Sequence, residues 1–183
     1  DKYSIKKLNE LARNSKPGSE GLVFLPYLNG ERTPHADSNA RGVYFGLSNK
    51  HDIRHIVRST MEGVAFGLKD SFRLIKSKDI KVEQIRVIGG GAKSSLWCQI
   101  LSDIFEQEIS LINIEEGPAF GAALIAGVGA NVFASFESAE EKFIKIKKTI
   151  KPNSDNFKVY RHNCERYKSL YNSLKEDFAL HNK

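Results

Sequence analysis

The sequence predicts an α/β domain, because short β-branched segments alternate with segments of helical periodicity. Strands are predicted over 82–88 and 109–114, and helices over 94–105 and 119–130 follow them directly. This strand–helix–strand–helix order favours parallel pairing of the two strands, with the helices layered on the sheet. The first strand also stops at consecutive glycines over 89–91, the composition of a tight strand-to-helix turn.

The N-terminal part of the chain combines a short helix with two short strands. Apolar spacing predicts a helix over 3–14, and the Pro- and Gly-containing stretch 15–19 breaks it. Compact apolar runs predict strands over 22–28 and 43–47. Between them, 29–42 is a polar loop of a length that is often functional, or else a surface connection whose charges pair locally.

The longest predicted helix covers 53–76, with Asp52 as its N-cap. Gly63 and Gly67 lie in the middle of this helix, where each costs about 1 kcal/mol relative to alanine. We therefore expect them to mark a close approach of another element. Glu62 is interpreted as an exposed charge.

The C-terminal third contains three further predicted elements. The helix 119–130 consists almost wholly of small residues, which predicts close packing against a sheet or a neighbouring helix. An alternating run over 143–147 predicts an edge strand. An amphipathic helix is predicted over 160–180. Its apolar stripe consists of Tyr160, Cys164, Tyr167, Tyr171, Leu174 and Phe178.

Composition favours a globular cytoplasmic protein that does not bind nucleic acid. The net charge of +6 lies in residues 141–183, which hold 11 basic and 5 acidic residues, whereas 1–140 hold 17 of each. The excess is interleaved with an apolar stripe, as on a solvated helix face. Cys98 and Cys164 form no metal-type pair and are expected to be reduced. No membrane span or signal peptide is predicted, and a chain that begins at Asp1 is expected to be a fragment or a processed product.

The turn at Gly89–Gly91 is the best candidate for a functional site. A strand, a glycine turn and a helix N-terminus together form a cradle for an anion. A P-loop needs glycine at positions that hold Val87 and Ala92, so that motif fails. A Rossmann-type dinucleotide site stays open, with Ser94 in place of the third glycine and Glu115 after the next strand. A plain tight bend also stays open.

Several segments, taken together, resemble the C-terminal domain of the FGGY family of carbohydrate kinases. The resemblance runs nearly end to end. Its segments are Leu25-Pro-Tyr-Leu-Asn-Gly-Glu-Arg-Thr-Pro-His35, Asn39-Ala-Arg-Gly-Val-Tyr-Phe-Gly-Leu47, His55-Ile-Val-Arg-Ser-Thr-Met-Glu62, Gly89-Gly-Gly-Ala-Lys-Ser94, Glu116-Gly-Pro-Ala119 and Gly121-Ala-Ala123. The Gly-Glu-Arg-Thr-Pro-His loop is similar to the xylulokinase group of that family.

The resemblance implies an actin/hexokinase-like (ribonuclease H-like) α/β lobe that is incomplete at its N-terminal side. Residues 1–183 are then a nucleotide-binding C-terminal domain fragment. In the family this glycine turn contacts the adenosine and α-phosphate side of ATP. The resemblance therefore implies nucleotide-binding roles for Gly90, Gly91, Ala92 and Ser95.

The implied activity is transfer of the ATP γ-phosphate to D-xylulose with Mg²⁺. The implied partners are ATP or ADP, D-xylulose, the N-terminal kinase lobe and a second copy in a homodimer. No catalytic or metal-binding residue is assigned in this chain, because the segments that carry the catalytic base have no counterpart here, and the chain alone is expected to be inactive. A non-catalytic binding or assembly module of the same fold remains an alternative. So does a role for Arg32 and His35 either at a cleft or in bracing the domain.

Overall fold

A computed structural model of the protein describes residues 4–115 and 117–181, which form an α/β domain. The helices are α1 (Ile5–Arg13), α2 (Ile53–Lys76), α3 (Ser95–Phe105), α4 (Gly117–Gly129), α5 (Phe136–Phe143) and α6 (Phe157–His181). The strands are β1 (Val23–Leu25), β2 (Val43–Phe45), β3 (Ile85–Val87), β4 (Ile109–Ile112) and β5 (Ile146–Ile150). Short 3₁₀ turns cover Ser19–Gly21, Gly90–Lys93 and Ser154–Asn156.

The strands form two small sheets. β1 and β2 pair antiparallel, and the second sheet has the order β3-β4-β5. β3 pairs parallel with β4, with Ile85 opposite Ile109, which confirms the pairing expected from the strand–helix–strand order. β5 pairs antiparallel with β4, so that the sheet is mixed.

The core lies between α2, β1, α3 and α6. α2 begins at the predicted residue, and the Asp52 side chain accepts a hydrogen bond from Arg54 N at 2.9 Å. The close approach expected at Gly63 is confirmed, because a Cβ there would lie 2.2 Å from the carbonyl oxygen of Phe24. α6 contains the helix predicted over 160–180 and buries Tyr160 and Tyr167.

The interpretation of Glu62 as an exposed charge is wrong. Its side chain is 1% exposed and accepts hydrogen bonds from Arg58 Nε at 2.8 Å, Gly18 N at 2.9 Å, Ser19 Oγ at 2.9 Å and Tyr160 OH at 3.0 Å. Burial raises the pKa of the Glu62 carboxyl, and the Arg58 guanidinium opposes that rise. Helical periodicity did not reveal the burial of Glu62, because three of the groups that bond its carboxylate belong to segments distant in the sequence.

The C-terminal third differs from the prediction in two respects. The helix α5 occupies Phe136–Phe143, which the sequence pattern missed, and the edge strand is Ile146–Ile150 rather than 143–147. Of the two neighbours expected for the helix α4, a sheet or another helix, the structure shows a helix: α4 contacts α5, with the rings of Phe120 and Phe143 6.2 Å apart. None of the described residues of α4 is buried.

The observed strands are shorter than the apolar runs that predict them. β1 ends before Pro26, which has no N–H to donate to a ladder, and β3 covers only Ile85–Val87 of the run predicted over 82–88. Both cysteines are free and buried. No helix in the described part of the chain is long and apolar enough to cross a membrane.

Candidate functional site

The glycine turn lies between β3 and α3, as predicted. Its three glycines differ in backbone conformation and in what a side chain would meet at each position. Gly89 has φ +72°, which side-chain-bearing residues rarely adopt. A Cβ on Gly91 would lie 3.0 Å from Nε1 of Trp97, so this glycine makes room for the chain's own indole. A Cβ on Gly90 would meet nothing within 4 Å. Gly90 thus differs from the other two glycines. Its backbone conformation would accept a side chain, and the space that a side chain would fill is empty.

The first turn of α3 is fixed by Ser94 and tied to α1. The Ser94 hydroxyl accepts a hydrogen bond from Trp97 N at 3.1 Å, which makes Ser94 the N-cap, and donates to Asn9 Oδ1 at 2.5 Å. Next to it, Arg13 Nη2 donates to Ser95 Oγ at 3.0 Å. Two side chains of α1 thus hold the start of α3.

α1 is itself held in place by the buried Arg58. The Arg58 Nη1 group donates to the carbonyl oxygen of Ser15 at 2.8 Å, just beyond the end of α1, and its Nη2 donates to Tyr160 OH at 2.9 Å. With Glu62 on its Nε, the guanidinium links α1, α2 and α6. The position of α1 beside the glycine turn therefore depends on a buried polar network and not on helix packing alone.

A polar cavity and an apolar groove lie side by side between α1 and the glycine turn. The cavity has a volume of about 350 Å³, and its walls include Glu10, Arg13, Gly90 and Ser95. The groove, of about 620 Å³, is lined largely by apolar side chains. These are Ile5, Leu8, Ile56, Val57, Met61 and Trp97. Both spaces share the walls formed by Ile5, Asn9, Gly90 and Ser94.

The chemistry of this arrangement is binding rather than bond making. Cys98 lies under the turn, with Sγ 3.7 Å from the carbonyl oxygen of Gly91, and burial raises the pKa of its thiol, so it stays protonated. Lys93 Nζ, from the end of the turn, pairs with a carboxylate oxygen of Glu115 at 2.9 Å. The glycines allow close approach of a ligand to the backbone, and the N-terminus of α3 favours negative charge.

The predicted site residues Gly90, Gly91, Ala92 and Ser95 lie together on the turn and at the first residue of α3. The structure adds Asn9 and Arg13, which sequence reasoning missed. No local signal could have found them, because Asn9 and Ser94 are 85 positions apart in the chain.

The loop 29–42 packs against the C-terminal helix. The His35 ring stacks on Tyr171 with centroids 3.5 Å apart, and Tyr171 OH donates to Asp37 Oδ2 at 3.0 Å. Burial lowers the pKa of His35. Of the two roles considered for His35, these contacts favour bracing of the domain, whereas Arg32 is exposed.

Metal-binding groups are sparse in residues 4–115 and 117–181. In that part of the chain, no cluster of three or more His, Cys, Asp or Glu side chains could hold a metal ion. His55, which forms an i, i+4 pair with His51, uses Nδ1 in the N-terminal cap of α2, where it contacts Asp52.

The fold defines the class of protein as a partial actin/hexokinase-like ATPase lobe. Residues 2–130 match the C-terminal domain of the FGGY family of carbohydrate kinases. A xylulose kinase of Staphylococcus epidermidis is 39% identical over 94% of this chain and 35% of its own length. A gluconokinase of Bacillus subtilis is 35% identical over 88% of this chain and 31% of its own length. The crystal structure of a ligand-bound xylulose kinase from Lactobacillus acidophilus superposes with a TM-score of 0.88 at 27% identity, covering 96% of this chain and 36% of that one.

This chain belongs to the FGGY family of carbohydrate kinases. The membership confirms the resemblance and the fold class, and it overturns the Rossmann-type alternative. The chain spans about a third of the length of the relatives it matches.

Proposed function

We propose that this chain is the nucleotide-binding part of a kinase that transfers the γ-phosphate of ATP to D-xylulose in the cytoplasm. The observation that carries the proposal is the open space at Gly90, on a turn between a parallel strand and a helix N-terminus, in a chain of a carbohydrate kinase family. A glycine whose missing side chain faces empty space is suited to close contact with a ligand. Gly91, Ala92 and Ser95 complete the proposed nucleotide contacts.

The two adjoining spaces have the polarity that a nucleoside requires. A purine is apolar on its faces and carries hydrogen-bond acceptors at its edges, which suits an apolar groove beside a cavity with donor side chains. The helix dipole of α3 favours the negative charge of the phosphates. In this arrangement the chain binds and orients ATP.

We propose that the chain alone does not catalyse the reaction. Phosphoryl transfer depends on a positioned base and on charge stabilisation by metal ions, and the described residues include no metal-binding cluster. The proposed partner is an N-terminal kinase lobe that supplies the base and most of the sugar contacts. The uncovered surface of α4 suits packing against further parts of such an enzyme. A homodimer of the full enzyme is also proposed.

Two observations support D-xylulose as the proposed sugar. The relative that is 39% identical to this chain is a xylulose kinase, and the Gly-Glu-Arg-Thr-Pro-His loop resembles the xylulokinase group. The test is a coupled assay of ADP release by the full-length kinase, with D-xylulose, gluconate and glycerol as competing acceptors. We expect the highest kcat/KM for D-xylulose. A higher value for gluconate or glycerol rejects the substrate, and no turnover with any acceptor favours the non-catalytic binding module.

A further inference from the structure

A third cavity lies where the parallel strands β3 and β4 end. It has a volume of about 260 Å³ and is lined by the glycine turn, by β4 with the residues after it, and by β5. We call it the lysine cavity, because its walls include Lys93, Lys147 and Lys148. It shares Lys93 with the polar cavity, but no described residue with the apolar groove or with α1. Ligands of open α/β sheets bind in the crevice outside the carboxyl ends of the strands, so a ligand is expected at this position.

A β-bulge brings two consecutive lysines of β5 into the lysine cavity. Leu111 of β4 pairs with Lys148. The next residue, Ile112, pairs with Ile146, which leaves Lys147 as an extra residue in the described ladder. In a regular strand, successive side chains point to opposite faces of the sheet. A bulge interrupts this alternation and re-aims side chains, and here both Lys147 and Lys148 line the same cavity.

The lysine cavity carries more positive charge than its own carboxylate neutralises. Lys93 Nζ pairs with Glu115 at 2.9 Å, whereas Lys147 and Lys148 form no ion pair within residues 4–115 and 117–181. The hydrogen bond and charge of Lys93, and then the charge of Lys147, lower the pKa of the Glu115 carboxyl, so Glu115 is ionised and already engaged. Two ammonium groups therefore line the cavity without a counter-ion from the described part of the chain.

A phosphoryl group has the charge and the size that the lysine cavity accepts. A phosphate monoester carries a charge of about −1.5 to −2 at pH 7, which matches two ammonium groups. Lysine binds phosphate as a point charge, and a glycine turn at a helix N-terminus favours anions through its N–H groups. The volume of about 260 Å³ lies below the roughly 300–1,000 Å³ that is typical of pockets for larger ligands. The cavity therefore suits a small phosphate compound rather than a whole nucleotide.

We propose that the lysine cavity is a second anion site, which binds inorganic phosphate or the phosphate group of a small ester through Lys147 and Lys148. The site is separate from the proposed nucleotide site, because the nucleotide is assigned to the two spaces that α1 lines. The phosphate compound and the nucleotide are therefore expected to bind at the same time.

The experiment measures phosphate binding to the full-length kinase by isothermal titration calorimetry. Saturating non-hydrolysable ATP analogue is present, so that all three phosphate positions of the nucleotide are filled, and the ionic strength is low, so that exposed charges are little screened. The probes are inorganic phosphate and phenyl phosphate. A lower Kd for phenyl phosphate identifies an ester as the ligand, and equal Kd values identify the phosphoryl group alone. Either result supports the proposal.

The Lys147→Met/Lys148→Met double variant is expected to raise the Kd of both probes at least about tenfold, because two charge-assisted contacts are lost. Each single variant is expected to raise the Kd by a smaller factor. Both side chains are exposed, so the midpoint of thermal unfolding is expected to stay unchanged.

Lys151→Met/Lys158→Met is the matched control. Both of these lysines are exposed in the same basic part of the chain, but they line none of the three spaces. An equal rise of the Kd in this control would show that general loss of positive charge is the cause, and would overturn the proposal.

Two further results would overturn the proposal. One is the absence of binding of either probe to the unmodified kinase. The other is binding only without the ATP analogue, which would assign the lysine cavity to the nucleotide site. Neither result bears on the proposed function, because that is tested by turnover and by substitution at Gly90.

Discussion

Replacing Gly90 by alanine is expected to weaken ATP binding without lowering the stability of the fold, which a substitution at Gly89 or Gly91 would not do. The new methyl group enters space in which nothing lies within 4 Å, and the Gly90 backbone is not in the left-handed region. The substitution is therefore expected to leave the free energy of unfolding unchanged or to raise it by about 0.4–1 kcal/mol, because alanine restricts the unfolded chain.

The same methyl group would occupy the surface that a nucleotide touches. Forcing one extra carbon into a packed contact costs about 1–3 kcal/mol. That cost corresponds to a rise of roughly five- to 150-fold in the ATP KM. The sugar KM is expected to stay unchanged, since most of the proposed sugar contacts lie outside this chain.

Gly91→Ala is the matched control, because its Cβ would lie 3.0 Å from Trp97 Nε1 and force the indole to shift. It is expected to lower the midpoint of thermal unfolding, whereas Gly90→Ala is not. The assays are coupled ADP release at varied ATP and varied D-xylulose, with thermal unfolding of each variant. An unchanged ATP KM in Gly90→Ala, or a loss of stability equal to that of Gly91→Ala, would refute the reasoning.

Three further predictions concern stability, measured by urea unfolding. Glu62→Gln leaves the buried Arg58 guanidinium without its counter-charge and should lower the free energy of unfolding by about 3 kcal/mol. Glu83→Gln, in the exposed pair with Lys81, should leave the free energy of unfolding almost unchanged. Equal effects of the two substitutions would contradict the buried network. Ser94→Ala removes the N-cap of α3 and its hydrogen bond to Asn9 of α1, and should lower the free energy of unfolding by about 1–2 kcal/mol. An unchanged free energy of unfolding would show that the cap does not stabilise the domain. The Arg161 hydrogen bond lowers the pKa of Glu106, so this stabilisation is present above the ordinary glutamate pKa and is lost as the pH falls through the lowered value. In Glu106→Gln the free energy of unfolding should therefore fall less steeply below about pH 4 than in the unmodified protein. An identical pH dependence in the two proteins would show that the Glu106–Arg161 pair does not stabilise the fold.

Much of the fold follows from local patterns. The bounds of α2 and its Asp52 cap are as predicted, because a long amphipathic period and a capping residue act within a few positions. The parallel pairing of β3 and β4 follows from the intervening helix. The helix α5 was missed because its eight residues, Phe136–Phe143, are largely charged or small and show little apolar period.

The sequence by itself determined the α/β class, the glycine turn and the kinship with carbohydrate kinases, because each is carried by neighbouring residues. Only the tertiary structure decided why Gly89, Gly90 and Gly91 differ, since that depends on φ and on Trp97. It also decided that Glu62 is buried and that Arg13 meets Ser95, 82 positions away. Such contacts are set by how distant elements pack, which local periodicity does not record.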